Sequence, residues 1–258
     1  NNGYGKENSR NSPTPFNMIT ASQIITELEN CGNAEKAAHL SGFFKTGKGQ
    51  YGEGDRFLGV TVPEQRAVAK KYAAAELPVL EQLLASPFHE QRLTALLILV
   101  RKYQKSKTAP EKEQYIRFYL SHTRFINNWD LVDLSCYALL GHWLQDKERS
   151  LLYELAESTN LWEQRIAIVS CMHFVRQGDF KDCLAIADKL LLHPHDLIHK
   201  ATGWLLRETG KRDKDTLVAF LQDRYLRMPR TMLRYAIERF PEEERKKWMK
   251  RGNLKTGK

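Results

Sequence analysis

The sequence has little that would mark a disulfide-bonded, metal-bound or membrane-embedded chain. Its four cysteines, Cys31, Cys136, Cys171 and Cys183, are widely spaced and form no C-x-x-C pair. That pattern argues against a disulfide framework or a zinc site. Three of them fall in apolar helical patterns, where a thiol behaves as a small hydrophobe. The longest apolar run, Ala95 to Val100, is far too short to cross a bilayer, and no signal-peptide pattern is visible. Strand-like alternation is scarce throughout. The expectation is therefore a cytoplasmic, nucleoid-associated protein with no metal and no cofactor.

What the chain does have is apolar content and positive charge. With 42% hydrophobic and 10% aromatic residues, 258 residues can bury a sizeable core, which excludes global disorder. Lys and Arg number 40 against 31 Asp and Glu, a net charge of +9. Such an excess suits a nucleic-acid partner, and it also suits an acidic protein partner or simple solubility.

Residues 1–17 are polar, rich in Asn, Ser, Gly and Pro, and without periodicity, so they are expected to be a disordered leader or an expression remnant. Residues 251–258 are expected to be a mobile basic tail. Between them, 18–250 should form a single domain, and its apolar residues recur at three and four positions, the helical period. Thr20 or Ser22 opens a first helix, and a second covers about 33–43. Pro63, Pro78, Pro87 and Pro110 mark further helix starts.

The tripeptide Glu-Gln-Arg occurs at Glu64, Glu90 and Glu163, and the latter two copies run into apolar stretches. Centres at Arg92, Asp133, Arg165 and Lys200 are spaced 41, 32 and 35 residues apart, the size of one helix pair. The predicted fold is thus all-α, a HEAT-like or ARM-type solenoid of stacked helix pairs. Its concave face would carry Arg92, Arg165, Lys200 and Arg207 towards a polyanion such as duplex DNA. The competing role for each arginine is an ion pair between neighbouring repeats.

One segment gathers chemistry. In Asn127-Asn128-Trp129-Asp130-Leu131-Val132-Asp133, Trp129 and Asp133 lie one helical turn apart on one face. Asn127 or Asn128 suits the N-cap, and Asp130 suits the first turn. Asp133 has no such local explanation; it either pairs across repeats or acts chemically. An aromatic face, a carboxylate and the Arg165 guanidinium are the parts needed to break the N-glycosidic bond of a cationic N3- or N7-alkylpurine. Such a base leaves without a general acid. A carboxylate about 4 Å from the sugar cation contributes roughly 4 kcal/mol at an effective dielectric near 20. Arg165 would hold the lesion-strand phosphate.

At FFKTGKGQYGEGDRFLGVTVPEQR, NNWDLVD, NLWEQRIAI and HKATGWLLRE, in that order, the chain resembles the AlkD-type DNA alkylation-repair glycosylases over most of residues 20–240. The resemblance implies a monofunctional glycosylase acting on duplex DNA, with Trp129, Asp133 and Arg165 as its catalytic group. It also implies that Trp204 packs against the lesion or its partner. Members of that family need not swing the base into a deep pocket, so a shallow groove would suffice. A tyrosine of some members is matched here by Leu40. The loop from Lys45 to Arg56 holds four glycines and is longer than in some relatives. Lys45, Lys48 and its backbone N–H groups would grip phosphate, or the loop is a plain connector. It lacks the G-K-[ST] of a nucleotide-hydrolysing loop.

Other residues promise less. His193-Pro194-His195 reads as an inter-helix turn, and Trp143, Trp162 and Trp248 read as packing. Arg227, Arg230 and Arg234 are either solvated or in contact with flanking DNA. A monomer is expected. Two further readings stay open: a non-catalytic repeat protein binding damaged or branched DNA, and a peptide-binding scaffold.

Overall fold

Capping chemistry sets where the first helices begin. In a computed structural model of the chain, which describes residues 18–250, Thr20 opens α1 (Ala21–Asn30) with a capping box. Its hydroxyl accepts from the Gln23 N–H, and the Gln23 side chain accepts from the Thr20 N–H. Asn33 caps α2 (Ala34–Phe43), and α3 (Val62–Lys71) carries Pro63 in its first turn. Pro78 and Pro110 sit likewise in α4 (Leu77–Leu84) and α6 (Ala109–Ser121), while Pro87 stands just ahead of α5 (His89–Lys105). Asn128 precedes the short α7 (Trp129–Asp133), which is followed by a π-type turn over Tyr137–Gly141. Then come α8 (Ser150–Glu157), α9 (Leu161–Ser170), α10 (Met172–Val175), α11 (Lys181–Lys189), α12 (Asp196–Arg212), α13 (Lys214–Gln222), α14 (Arg230–Ala236) and α15 (Glu242–Met249). The segments 1–17 and 251–258, for which disorder and mobility are expected, lie outside the described residues.

Packing turns this list into a helical repeat. Helices α5, α7, α9, α12 and α14 form a row in which each touches the next. Behind the row, α4 and α6 pack on α5, α8 packs on α9, and α11 and α13 pack on α12. The fold is all-α, as the periodicity implies; among the described residues the one extended pairing is a bridge between Arg56 and Phe88. No helix among them is long and apolar enough to cross a membrane.

Helix α5 shows why the row is stable. It buries Leu93, Leu96, Leu97, Ile98, Leu99 and Tyr103 almost completely, each contributing roughly 1.5–3 kcal/mol relative to exposure. Every residue from His89 to Leu99 is buried, as befits a helix inside a stack. Glycine allows a close approach further along: a Cβ on Gly203 of α12 would lie 2.6 Å from the Met232 carbonyl oxygen of α14. The buried residues from Ala21 to Phe240 make one continuous cluster. The row aligns the first turns of α5, α7, α9 and α12, and the site lies at those turns.

Candidate nucleic-acid and lesion site

The short helix α7 holds the central pair of residues. Asn128, fully buried, accepts from the Trp129 N–H through Oδ1 at 2.8 Å. Its Nδ2 donates to Asp55 at 3.3 Å, which ties the helix start to the glycine-rich loop. One turn later Asp133 receives Arg165 in a two-pronged contact, Nε to Oδ1 at 2.9 Å and Nη2 to Oδ2 at 2.8 Å. Arg165 also donates through Nη1 to the Leu197 carbonyl at 2.6 Å, fixing the entry of α12. Burial pushes the Asp133 carboxyl above its ordinary value, against the pull of the adjacent guanidinium.

This geometry gives Arg165 protein partners on three of its nitrogens. Its side chain is 6% exposed, and Nε, Nη1 and Nη2 each have a protein acceptor. It therefore aims the Asp133 carboxylate, the pairing between repeats that the sequence left open. Arg92 likewise takes the ion-pair alternative that the sequence left open. Expected on a DNA-facing surface, it is buried, with Nη2 on Asp55 at 2.7 Å and Nη1 on the Ser86 carbonyl. Two of the three Glu-Gln-Arg copies thus use one device, an arginine reaching back to an earlier aspartate. What distinguishes the pairs is access: Asp55 is 5% exposed, and Asp133 at 15% borders open space on two sides.

Those sides are two cavities that share Phe43, Trp129 and Asp133 as a common wall. The first, about 730 Å³, is lined by Lys45, Arg165, Lys200, Trp204 and Arg207, together with Tyr51 and Tyr235. The structure therefore brings Lys45, Lys200, Trp204 and Arg207 to the same space as the central pair. Lys200 is paired with Asp196 at 2.7 Å, and Arg207 with Glu238. Lys48 is exposed on the loop and borders neither cavity. The second cavity, about 830 Å³, is walled by Leu40, Phe43, Phe44, Phe57, Val60, Val62, Trp129 and Leu134.

Phe44 stacks on Trp129 at 5.3 Å between centroids, and Phe43 meets it edge-on at 6.1 Å. Phe43 is 55% exposed, unusual for a phenylalanine beside charged side chains. Sequence reasoning missed Phe43 and also Tyr51, an aromatic in a polar glycine-rich loop that reaches the basic cavity. A lone aromatic in such a loop was the available signal.

The glycine-rich loop is bolted to the row. The Glu90 carboxylate accepts from the backbone N–H groups of Leu58, Gly59 and Val60 at 2.8–3.3 Å. Gly59 has φ of +82°, and a Cβ there would lie 2.0 Å from the Asn33 carbonyl oxygen, so only glycine fits. His89, 2% exposed, bridges Asp55 at 3.4 Å and Asp130 at 2.8 Å. Burial opposes its charge, but the two carboxylates outweigh burial and raise its pKa from 6.5 to about 9. Asp130 thus has a partner beyond the helix dipole.

The other sequence expectations concern turns and packing. His193-Pro194-His195 forms the turn into α12, where His195 caps the helix by accepting from the Leu197 N–H. Trp162 is buried and meets Tyr51 edge-on, and Trp248 packs on Tyr225. Trp143 lies under the Lys147 ammonium, 3.9 Å from its ring centroid. Arg230 donates to the Met249 carbonyl, and Arg227 and Arg234 are exposed.

Comparison with known proteins places the chain. The family described as DNA alkylation repair enzyme matches residues 24–240. The chain belongs to that family, whose role is the repair of alkylated DNA. Among solved structures it is similar to one described as a predicted DNA alkylation repair enzyme from Enterococcus faecalis. The identity is 17%, the TM-score is 0.62, and 82% of this chain and 97% of that chain are covered. At that identity the likeness speaks for the fold. Among curated proteins none matches the chain.

Proposed function

We propose that the protein is a monofunctional DNA glycosylase releasing cationic N3- and N7-alkylpurines from duplex DNA as a monomer. The observation that carries this reading is the aimed carboxylate. Asp133 is held by Arg165 beside Trp129, at the edge of a cavity that also presents Lys45, Lys200 and Arg207. In the reaction the C1′–N bond breaks and its electron pair leaves with the base, which becomes neutral. Water then adds to C1′ and releases a proton, leaving an abasic site. Asp133 stabilises the sugar cation and orients the water; Trp129 offers its ring to the cationic base, worth roughly 0.5–2 kcal/mol. Lys45, Lys200, Arg207 and, from the loop, Lys48 meet the phosphates, and Trp204 packs against the lesion or its partner.

The ion pair sets the size of the effect. With the sugar cation about 4 Å from Asp133 and about 8 Å from Arg165, attraction near 4 kcal/mol is offset by repulsion near 2 kcal/mol. The remaining 2 kcal/mol or so is about 30-fold in rate. Arg165 thus weakens the field that it aims, and the positioned water adds to the electrostatic term.

Direct transfer of the alkyl group to a cysteine is disfavoured by the same geometry. Among the described residues, none of the four cysteines borders either cavity. Burial drives the Cys136, Cys171 and Cys183 thiols up, Cys183 to about 12, far from the reactive thiolate. The test is to incubate methylated duplex DNA with the protein and analyse both fractions. Free 3-methyladenine or 7-methylguanine with matching abasic sites supports the reading. Repair without base release, or binding without repair, would reject it, the latter in favour of a non-catalytic damage binder.

A further inference from the structure

Resting on the reading that the basic cavity takes alkylated duplex DNA, we propose that Tyr51 and Tyr235 form, together with Lys200, a binding site for one phosphodiester beside the lesion. The two phenols come from segments far apart in the chain, the glycine-rich loop and α14. Both line the cavity that holds Trp129, Asp133 and Lys200. Each is placed by packing. The loop closes on itself where the Gly52 N–H donates to the Lys45 carbonyl at 3.1 Å, and the Tyr51 ring meets Trp162 edge-on at 6.1 Å. Tyr235 reaches the cavity because Gly203 has no side chain: a Cβ there would lie 2.5 Å from the Tyr235 Cβ. Lys200 lies about one turn before Gly203 on α12. Asp196 raises the pKa of its ammonium most, and both phenols lie close enough to add to the effect.

These hydroxyls want an acceptor. Elsewhere Tyr119 and Tyr153 spend theirs on Ser135 and Asp182. Neither Tyr51 nor Tyr235 donates to a protein group among the described residues. Burial raises the Tyr51 phenol against the pull of the Trp129 indole N–H and Lys200, so it keeps its proton to donate. A phosphodiester oxygen accepts only, and its charge suits Lys200. The Lys200–Asp196 pair spans one turn of α12 with its side chains 41% and 55% exposed, a weak pairing that a phosphate can replace. Neutral donors also suit the chemistry. Arg165 already opposes the sugar cation that Asp133 stabilises, and a second guanidinium close to C1′ would oppose it further. Phenol hydroxyls hold the phosphate and add no full charge.

The test reads binding apart from base release. A duplex whose single 7-methylguanine nucleotide carries a 2′-fluoro sugar resists cleavage, and its affinity is measured by fluorescence anisotropy. Tyr51→Phe and Tyr235→Phe, each checked by circular dichroism, should bind it about tenfold more weakly, the loss of one hydrogen bond to a charged group. Phosphodiesters around the lesion are then replaced one at a time by neutral methylphosphonate. At one linkage the wild type should weaken, and its advantage over both variants should shrink. Variants that bind like the wild type would overturn the proposal, as would a tenfold difference that persists at every linkage. If those variants match the wild type while it releases base from the cleavable duplex, the glycosylase reading stands without this site. If the wild type releases no base yet shows the linkage effect, the phosphate site stands and the glycosylase reading fails.

Discussion

Raising the pH should loosen this protein through His89, and the size of the effect can be worked from its contacts. The imidazole is buried between Asp55 and Asp130, and its pKa is raised from 6.5 to about 9. Below pH 6.5 the folded and unfolded chains both carry the proton, and the full stabilisation is present. Between 6.5 and 9 only the folded chain holds it, so stability falls as pH rises, and the contribution is gone once the folded pKa is passed. A shift of that size corresponds to about 3 kcal/mol, a large part of a typical folding free energy of roughly 5–15 kcal/mol. Urea denaturation followed by circular dichroism at several pH values would measure it. The wild type should lose about 3 kcal/mol relative to His89→Gln across this interval, because the variant lacks the titrating group. Parallel pH profiles for the two proteins would refute the reasoning. The consequence reaches the site, since Asp130 adjoins Trp129 and Asp55 closes the glycine-rich loop.

Further outcomes follow from the same contacts. Arg92→Leu should destabilise the fold by about 3–5 kcal/mol, because Asp55 is left buried without its guanidinium partner. The salt dependence of DNA binding should be unchanged in that variant; a lower slope would mean that Arg92 meets phosphate after all. Lys200→Ala should lower the slope of log K against log salt by about 1, measured by anisotropy, if Lys200 leaves Asp196 for a phosphate. Gly59→Ala should lose more than the roughly 1 kcal/mol of an ordinary glycine replacement, since both φ and the Asn33 carbonyl oppose a side chain; a melting temperature like that of the wild type would contradict this.

The helices were legible in the sequence because their starts are local chemistry. Thr20, Pro63, Pro78 and Pro110 act within one turn, and Asn128 caps α7 as one of the two asparagines anticipated. The Glu-Gln-Arg copies correctly implied repetition, but not which way each arginine faces. That depends on Asp55 and Asp133, which lie 37 and 32 residues away in the chain and meet their partners only when repeats stack. The cavity wall was hidden for the same reason. Phe43 and Phe44 are adjacent at the end of α2, yet one is exposed beside Trp129 and the other is buried beneath it. His89 carries no motif at all; its role comes from two aspartates that the fold delivers.

The account rests most directly on Asp133. Single-turnover release of 7-methylguanine from a duplex with one lesion should be about 1,000-fold slower in Asp133→Asn, which keeps an acceptor for Arg165 but loses the whole attraction of about 4 kcal/mol and leaves the Arg165 repulsion uncompensated. Duplex affinity should hold or rise, because a negative charge facing DNA has been removed. Equal release rates in the two proteins, with both folded and DNA-bound, would remove Asp133 from the chemistry and contradict the account.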